Sequence, residues 1–82
     1  MSSQLLIVDD ERLIRWSLEQ TLAKAGYEVS SASTGEAALA AVREDPPDLI
    51  LLDLKLPDMS GYEVLRTLRA RKNKTPIMIV SG

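Results

Sequence analysis

Short runs of apolar residues alternate with longer amphipathic segments along this chain. Three runs are continuous and apolar: Leu5-Leu6-Ile7-Val8, Leu49-Ile50-Leu51-Leu52 and Ile77-Met78-Ile79-Val80. Runs of this length are typical of strands that are buried on both faces of a parallel sheet. They predict strands at residues 5–9, 48–53 and 77–80.

A further strand and the first helix follow from different spacings. Ile14, Leu18 and Leu22 recur every fourth residue within 11–25, which places them on one face of a helix. Gly26 is expected to end that helix, because glycine favours the position just past a helix end. Tyr27, Val29 and Ser31 then alternate with polar residues, which predicts a strand at the edge of the sheet.

Two capping boxes mark the other helices. Ser33 with Glu36 predicts the start of a second helix, with Ser33 as N-cap, and Pro46-Pro47 forbid its continuation. Ser60 with Glu63 predicts the start of a third helix. The predicted order is therefore strand-helix-strand-helix-strand-helix-strand, which is the pattern of an α/β protein with a parallel sheet.

Length and composition restrict the classes of protein. The chain has 82 residues, a net charge of -2, no cysteine and no histidine. We expect one small domain without a thiolate zinc site and without a phosphohistidine of its own. The charge offers no basic surface for nucleic acid, and no apolar run approaches the ~20 residues of a membrane span. The start of the chain does not look like a secretion signal, so a cytoplasmic protein is predicted.

Acidic residues follow two of the predicted strands. Asp9-Asp10 close the first strand and Asp53 closes the third. Ligands of open parallel sheets bind at the carboxyl ends of the strands, so these carboxylates should converge. Like charges that lie close together repel unless a cation separates them. We therefore expect a Mg²⁺ site, with one carboxylate free to take part in phosphoryl chemistry.

The combination of these residues resembles the receiver domain of bacterial two-component response regulators. The resemblance covers essentially the whole chain and implies a flavodoxin-like, doubly wound parallel sheet. It is carried by Asp9-Asp10-Glu11, Asp53, Lys55, Pro57, Asp58, Gly61 and Ser81-Gly82. The stretch from Leu13 to Leu18 is similar to receivers attached to enhancer-binding transcription regulators, which implies a role in transcription regulation.

The resemblance also implies roles for individual residues. Asp53 is the phosphoacceptor for a sensor histidine kinase. Asp10 and Asp53 ligate Mg²⁺ directly, the backbone carbonyl of Lys55 is a third ligand, and Asp9 acts through water or as an alternative ligand. Ser81 is the hydroxyl that moves to the phosphoryl group after transfer.

The chain is shorter than the family pattern. Receivers continue through a fourth helix, a fifth strand with a lysine that pairs with the phosphoryl group, and a fifth helix. We therefore expect residues 1–82 to form a partial receiver domain. Lys55 is the lysine expected near the acids, so its ammonium is the candidate to compensate in part for the lysine of the fifth strand.

Connection rules predict an uncovered surface. Right-handed crossovers with strand order 2-1-3-4 place the first helix on one face and the other two helices on the opposite face. The third and fourth strands then lack cover on the first-helix face, and the fourth strand is an unpaired edge. We expect either a fragment of a longer protein or self-association through this face or the last strand.

Two other functions compete with a phosphorylated receiver, which is not itself an enzyme. A truncated receiver could bind a kinase or other receivers without being stably phosphorylated. A haloacid-dehalogenase-like phosphatase would also use an Asp nucleophile at a strand end. Such sites need a second acid two residues after the nucleophile, and that position holds Lys55. Neither nucleic acid nor a membrane is an expected partner of this segment.

Overall fold

Four strands and three helices alternate along residues 3–80, the part of the chain described by this computed structural model. The predicted elements are confirmed, with small shifts at their ends. No helix in this range is both long and apolar enough to span a membrane. The elements are β1 Gln4–Val8, α1 Arg12–Lys24, β2 Glu28–Ala32, α2 Gly35–Glu44, β3 Leu49–Leu52, α3 Gly61–Ala70 and β4 Ile77–Ile79.

The strands form one parallel sheet in the order β2-β1-β3-β4. This confirms the predicted flavodoxin-like α/β topology and the edge position of β2. Leu6 of β1 lies between Ser30 of β2 and Ile50 of β3, and Ile50 in turn pairs with Ile77 of β4. Because all strands run in the same direction, the residues after β1 and β3 meet at one edge of the sheet.

One face of the sheet is covered by α2 and α3, except at its β4 edge, where Ile79 is 40% exposed. Side chains of β1, β3 and both helices form a single apolar core on this face. Leu52 is completely buried, and Val64 and Leu68 of α3 are buried against the strands. The core comprises Leu6, Val8, Ala32, Ala38, Val42, Ile50, Leu52, Val64 and Leu68.

The opposite face is covered only in part, by α1. Leu5 and Ile7 of β1 are buried there, but Leu51 is half-buried and its neighbour Met78 is 55% exposed. In the described residues α1 contributes no buried side chain. This confirms the predicted uncovered apolar surface beside β3 and β4.

The apolar row of α1 is less buried than its spacing predicts. Leu18 and Leu22 are half-buried, and Ile14 is exposed. The helix ends as expected before Gly26, whose φ of +99° lies in the left-handed region that glycine adopts without strain. The spacing therefore identified the side of α1 that packs on the sheet. These side chains remain partly exposed because α1 is the only described helix on that face of the sheet.

The cap of α2 differs from the prediction. Thr34 is the N-cap, and its Oγ1 accepts a hydrogen bond from the N–H of Ala37 at 3.0 Å, so the assignment to Ser33 is wrong. The helix begins at Gly35, and an N-cap hydroxyl reaches the N–H three residues onward. The predicted cap of α3 is confirmed, since Oγ of Ser60 accepts from the N–H of Glu63 at 3.2 Å.

Candidate metal centre

Three carboxylates converge at the carboxyl edge of the sheet. One oxygen atom from each of Asp9, Asp10 and Asp53 lies within 4.8 Å of the others. The backbone places them: the N–H of Asp53 donates to the carbonyl of Val8 at 2.9 Å, and the N–H of Asp9 donates to that of Ala32 at 3.1 Å. The parallel ladder thus continues one residue beyond β1 and β3, up to the acids.

Asp9 is the most constrained of the three acids. It is buried, with 6% of its surface exposed, and its Oδ1 accepts a hydrogen bond from the N–H of Glu11 at 2.8 Å. Arg15 of α1 donates from Nη1 to the backbone carbonyl of Asp9 at 2.8 Å. This contact of Arg15 was not predicted from the sequence. The one feature that pointed to it is that Arg15 lies at the start of α1, a few residues after Asp9 and Asp10.

Asp53 is held through one of its two carboxylate oxygens. Its Oδ1 accepts a hydrogen bond from the N–H of Lys55 at 3.2 Å. Among the described residues no protein donor reaches Oδ2. This half-buried carboxylate therefore keeps one oxygen available at the edge where Asp9 and Asp10 also lie.

The loop after β3, residues 53–61, folds back on itself. The N–H of Gly61 donates to the carbonyl of Leu54 at 2.8 Å, and Lys55 pairs with Ser60 in an antiparallel bridge. A Cβ on Gly61 would lie 2.5 Å from the carbonyl oxygen of Asp53. Only glycine allows this approach, which is the physical reason for the glycine in the motif.

Asp58, at the tip of this loop, contacts the start of α2. Its Oδ1 accepts from the N–H of Gly35 at 2.8 Å, and its Oδ2 accepts from the N–H of Glu36 at 2.9 Å. These hydrogen bonds, that from Glu36 first and that from Gly35 next, lower the pKa of Asp58 below its ordinary value of 3.8. Asp58 was expected from the sequence as a motif residue, but its contact with α2 was not predicted.

The acidic cluster fits a magnesium ion. Mg²⁺ binds oxygen ligands at about 2.1 Å in octahedral geometry, so opposite ligands lie about 4.2 Å apart. One oxygen from each acid lies within 4.8 Å of the others, a spacing of the same size. Ser81, the predicted switch hydroxyl, lies outside the described residues.

Comparison with known families defines the class of protein. The family model of the response regulator receiver domain matches residues 5–82. The chain belongs to this family, whose members are signalling modules of two-component systems.

Individual relatives agree with this assignment. The chain is 47% identical over 79 residues to the cell cycle response regulator CtrA of Brucella ovis, covering 96% of this chain and 34% of that protein. A CheY-like receiver domain protein of Methanospirillum hungatei superposes with a TM-score of 0.95 at 36% identity, covering 100% of this chain and 66% of that one. For the response regulator TrrA of Thermotoga maritima the TM-score is 0.91 at 37% identity, over 99% of this chain and 70% of that one.

The curated relatives are longer than this chain, which spans 34% of the length of CtrA. The family assignment therefore applies to the matched residues 5–82 of this chain.

Proposed function

We propose that this chain is a phosphoacceptor module, phosphorylated on Asp53 by a partner histidine kinase in a Mg²⁺-dependent reaction. The observation that carries the proposal is the convergence of the Asp9, Asp10 and Asp53 carboxylates at one edge of the sheet. The module accepts a phosphoryl group and changes a surface in response, and does not turn over a substrate of its own. It corresponds to residues 1–82 as a partial receiver domain.

In this proposal the acids hold the metal. Asp10 and Asp53 are direct ligands together with the backbone carbonyl of Lys55, and Asp9 acts through water or as an alternative ligand. When bound, Mg²⁺ neutralises charge on the transferring group, which is the main demand of phosphoryl transfer. The hydrogen bond from the N–H of Lys55 to Oδ1 of Asp53 leaves Oδ2 as the acceptor atom.

The transfer step exchanges one bond to phosphorus for another. Oδ2 of Asp53 forms the new P–O bond while the P–N bond of the kinase phosphohistidine breaks. The bonding pair returns to the imidazole nitrogen, and the product is an acyl phosphate. The ammonium of Lys55 and the hydroxyl of Ser81 are the proposed partners of the phosphoryl oxygens.

The relatives support this proposal. The structure of TrrA from Thermotoga maritima was solved in complex with Mg²⁺ and BeF, on a chain that is 37% identical to this one. The CtrA relative is a cell cycle response regulator. We extend the proposal to a cytoplasmic location and to transcription regulation as the output, with no direct nucleic-acid contact by this segment.

Intact mass after incubation with Mg²⁺ and a small acyl phosphate donor tests the function. We expect one added phosphoryl group on the wild type and none on Asp53→Asn. Asp48→Asn is the matched control, because Asp48 also accepts a backbone N–H, that of Gln4 at 2.7 Å, but lies before β3 rather than after it. A folded wild type that gains no phosphoryl group, or an Asp53→Asn variant that still gains one, would overturn the proposal.

The open face favours a second role as an interaction module. Met78 is 55% exposed beside the half-buried Leu51, and β4 is a sheet edge within the described residues. Exposed strand edges and apolar faces promote pairing with another chain. This candidate function is self-association through the face or through β4, and it predicts a sedimentation coefficient that rises with protein concentration. A constant monomer value together with no binding of a hydrophobic dye would exclude it.

A further inference from the structure

The loop 53–61 is attached to the rest of the molecule at two places. Its base is closed by the hydrogen bond from Gly61 to Leu54 and by the bridge between Lys55 and Ser60. Its tip is attached through Asp58 to α2, an element more than twenty residues earlier in the chain. The backbone of Lys55 is part of the base, three residues before the attached Asp58.

The tip attachment uses both oxygens of one carboxylate. Oδ1 and Oδ2 of Asp58 accept from two consecutive backbone N–H groups, those of Gly35 and Glu36. Within residues 3–80 no other carboxylate binds two backbone N–H groups in this way. Both N–H groups belong to the first turn of α2, where the helix dipole also favours a negative charge. Charge-assisted hydrogen bonds of this kind are stronger than neutral ones.

Packing supports the same contact. A Cβ on Gly35 would collide with Cγ of Met59, the residue after Asp58. Met59 also packs against the core formed with α2 and α3. The loop tip therefore meets the start of α2 through two hydrogen bonds and a close apolar contact, and it cannot shift without disturbing both.

We infer that Asp58 is a positioning residue for the metal site, which holds the backbone of Lys55 in place by attaching the loop tip to the first turn of α2. The N–H of Lys55 donates to Asp53, and its carbonyl is the proposed third metal ligand. The inference rests on the proposed function, because it concerns the same site. Since coupling between sites is reciprocal, metal binding should in turn stabilise the start of α2.

Mg²⁺ affinity is the direct readout. Loss of a group that orients a metal ligand typically lowers metal affinity by about 10- to 100-fold. We expect titration calorimetry on the full 82-residue chain to show Mg²⁺ binding weakened by about 10-fold in Asp58→Asn, at the lower end of that range. The asparagine keeps the size of the side chain but turns an NH₂ group towards a backbone N–H.

Two variants control for charge and for helix stability. Asp48→Asn removes an equal charge from a carboxylate that binds a backbone N–H before β3. Thr34→Ala removes the side-chain cap of α2 but leaves the contacts of Asp58 in place. Both should bind Mg²⁺ as the wild type does. If Thr34→Ala weakens Mg²⁺ binding as much as Asp58→Asn, general loosening of α2 is the cause and the inference is wrong.

Phosphorylation assays at different Mg²⁺ concentrations distinguish a failure of the Asp58 role from a failure of the proposed function. With a small acyl phosphate donor, Asp58→Asn should need more Mg²⁺ for half-maximal labelling but reach the wild-type rate at saturating Mg²⁺. Equal Mg²⁺ requirements in a labelled wild type and a labelled Asp58→Asn overturn the role of Asp58 and leave the proposed function intact. A wild type that binds Mg²⁺ without being labelled overturns the proposed function, while weaker binding by Asp58→Asn still supports the positioning role.

Hydrogen exchange of the wild type provides a test that needs no variant. Mg²⁺ should slow exchange of the N–H groups of Gly35 and Glu36, which donate to Asp58. Unchanged exchange of these two amides at saturating Mg²⁺ contradicts the inference, and so does a folded wild type that binds no Mg²⁺.

Discussion

The two faces of the sheet use the same strands but are buried to different extents. Leu52 of β3 points to the α2/α3 face and is completely buried, whereas the preceding Leu51 points to the α1 face and is only half-buried. Met78, the β4 neighbour of Leu51, is 55% exposed. The strand sequences are apolar on both sides, so they are suited to a sheet covered on both faces. Within residues 3–80 the helices cover the α2/α3 face more fully than the α1 face, although Ile79, the β4 neighbour of Leu52, is 40% exposed.

The helices of the two faces also begin differently. On the closed face, α2 and α3 have side-chain caps from Thr34 and Ser60 and an acidic residue in the first turn. On the open face, the N-cap of α1 is Glu11, which makes no side-chain cap hydrogen bond, and the first turn holds no acid. The acids that precede α1, Asp9 and Asp10, are instead part of the acidic cluster. The helix next to the site therefore lacks the N-cap hydroxyl and the first-turn acid of the other two, and its start is held by the hydrogen bond from the N–H of Glu11 to Asp9.

Truncation of the adjacent leucines of β3 to alanine should give the largest difference in the free energy of unfolding between the two faces. Leu52→Ala removes a fully buried side chain, and we expect it to lower the free energy of unfolding by about 3 kcal/mol. Leu51→Ala should cost about 1 kcal/mol, because Leu51 already contacts water and leaves a smaller cavity. Urea denaturation followed by circular dichroism measures both. Equal losses would mean that the α1 face is closed in solution, for example by a second copy.

Removing helix caps should give an intermediate effect. Ser60→Ala leaves the N–H of Glu63 without its acceptor, and we expect a loss of about 1 kcal/mol in the free energy of unfolding. Glu11→Ala should change it by less than about 0.5 kcal/mol, because the Glu11 side chain caps nothing. A loss for Glu11→Ala as large as that for Ser60→Ala would contradict the difference between the two helix starts.

A charge on the open face should have the smallest effect on folding. We expect Met78→Lys to change the free energy of unfolding by less than about 0.5 kcal/mol, since the side chain is mostly in water. It should nevertheless reduce hydrophobic dye binding and any self-association measured by sedimentation. Tyr62→Lys is the matched control, because Tyr62 is 57% exposed but lies on α3, on the closed side of the sheet. If both variants reduce association equally, the open face is not the contact surface.

The elements followed from local patterns, whereas the order of the strands came with the resemblance to receiver domains. Apolar runs identified β1, β3 and β4, alternation identified β2, and Gly26 and Pro46-Pro47 marked helix ends. The order β2-β1-β3-β4 is that of the flavodoxin-like sheet implied by the resemblance, and crossover handedness then assigned the helices to the two faces. The cap of α2 was misplaced by one residue, on Ser33 instead of Thr34. Ser and Thr are both favoured N-cap residues, so residue type does not distinguish Ser33 from Thr34. The N-cap is Thr34 because the helical backbone begins at Gly35.

Contacts between distant residues were not predictable in the same way. From its sequence neighbours Asp58 is expected to be a turn residue. Its carboxylate nevertheless accepts hydrogen bonds from the backbone N–H groups of Gly35 and Glu36, which belong to α2. The contact of Arg15 with the carbonyl of Asp9 was missed for a similar reason. Sequence spacing shows which side chains share an element or a strand end, but it does not show which loop tip reaches which helix.

The convergence of Asp9, Asp10 and Asp53 was already set by their positions after two apolar runs, because neighbouring parallel strands bring their carboxyl ends to one edge of a sheet. The unequal burial of Leu51 and Leu52 was decided only in the tertiary structure. Strand alternation assigns these side chains to opposite faces, but burial depends on which helices cover each face. The attachment of Asp58 to α2 was likewise a tertiary outcome, since it requires the sheet, the loop and the helix to be assembled before the two partners can meet.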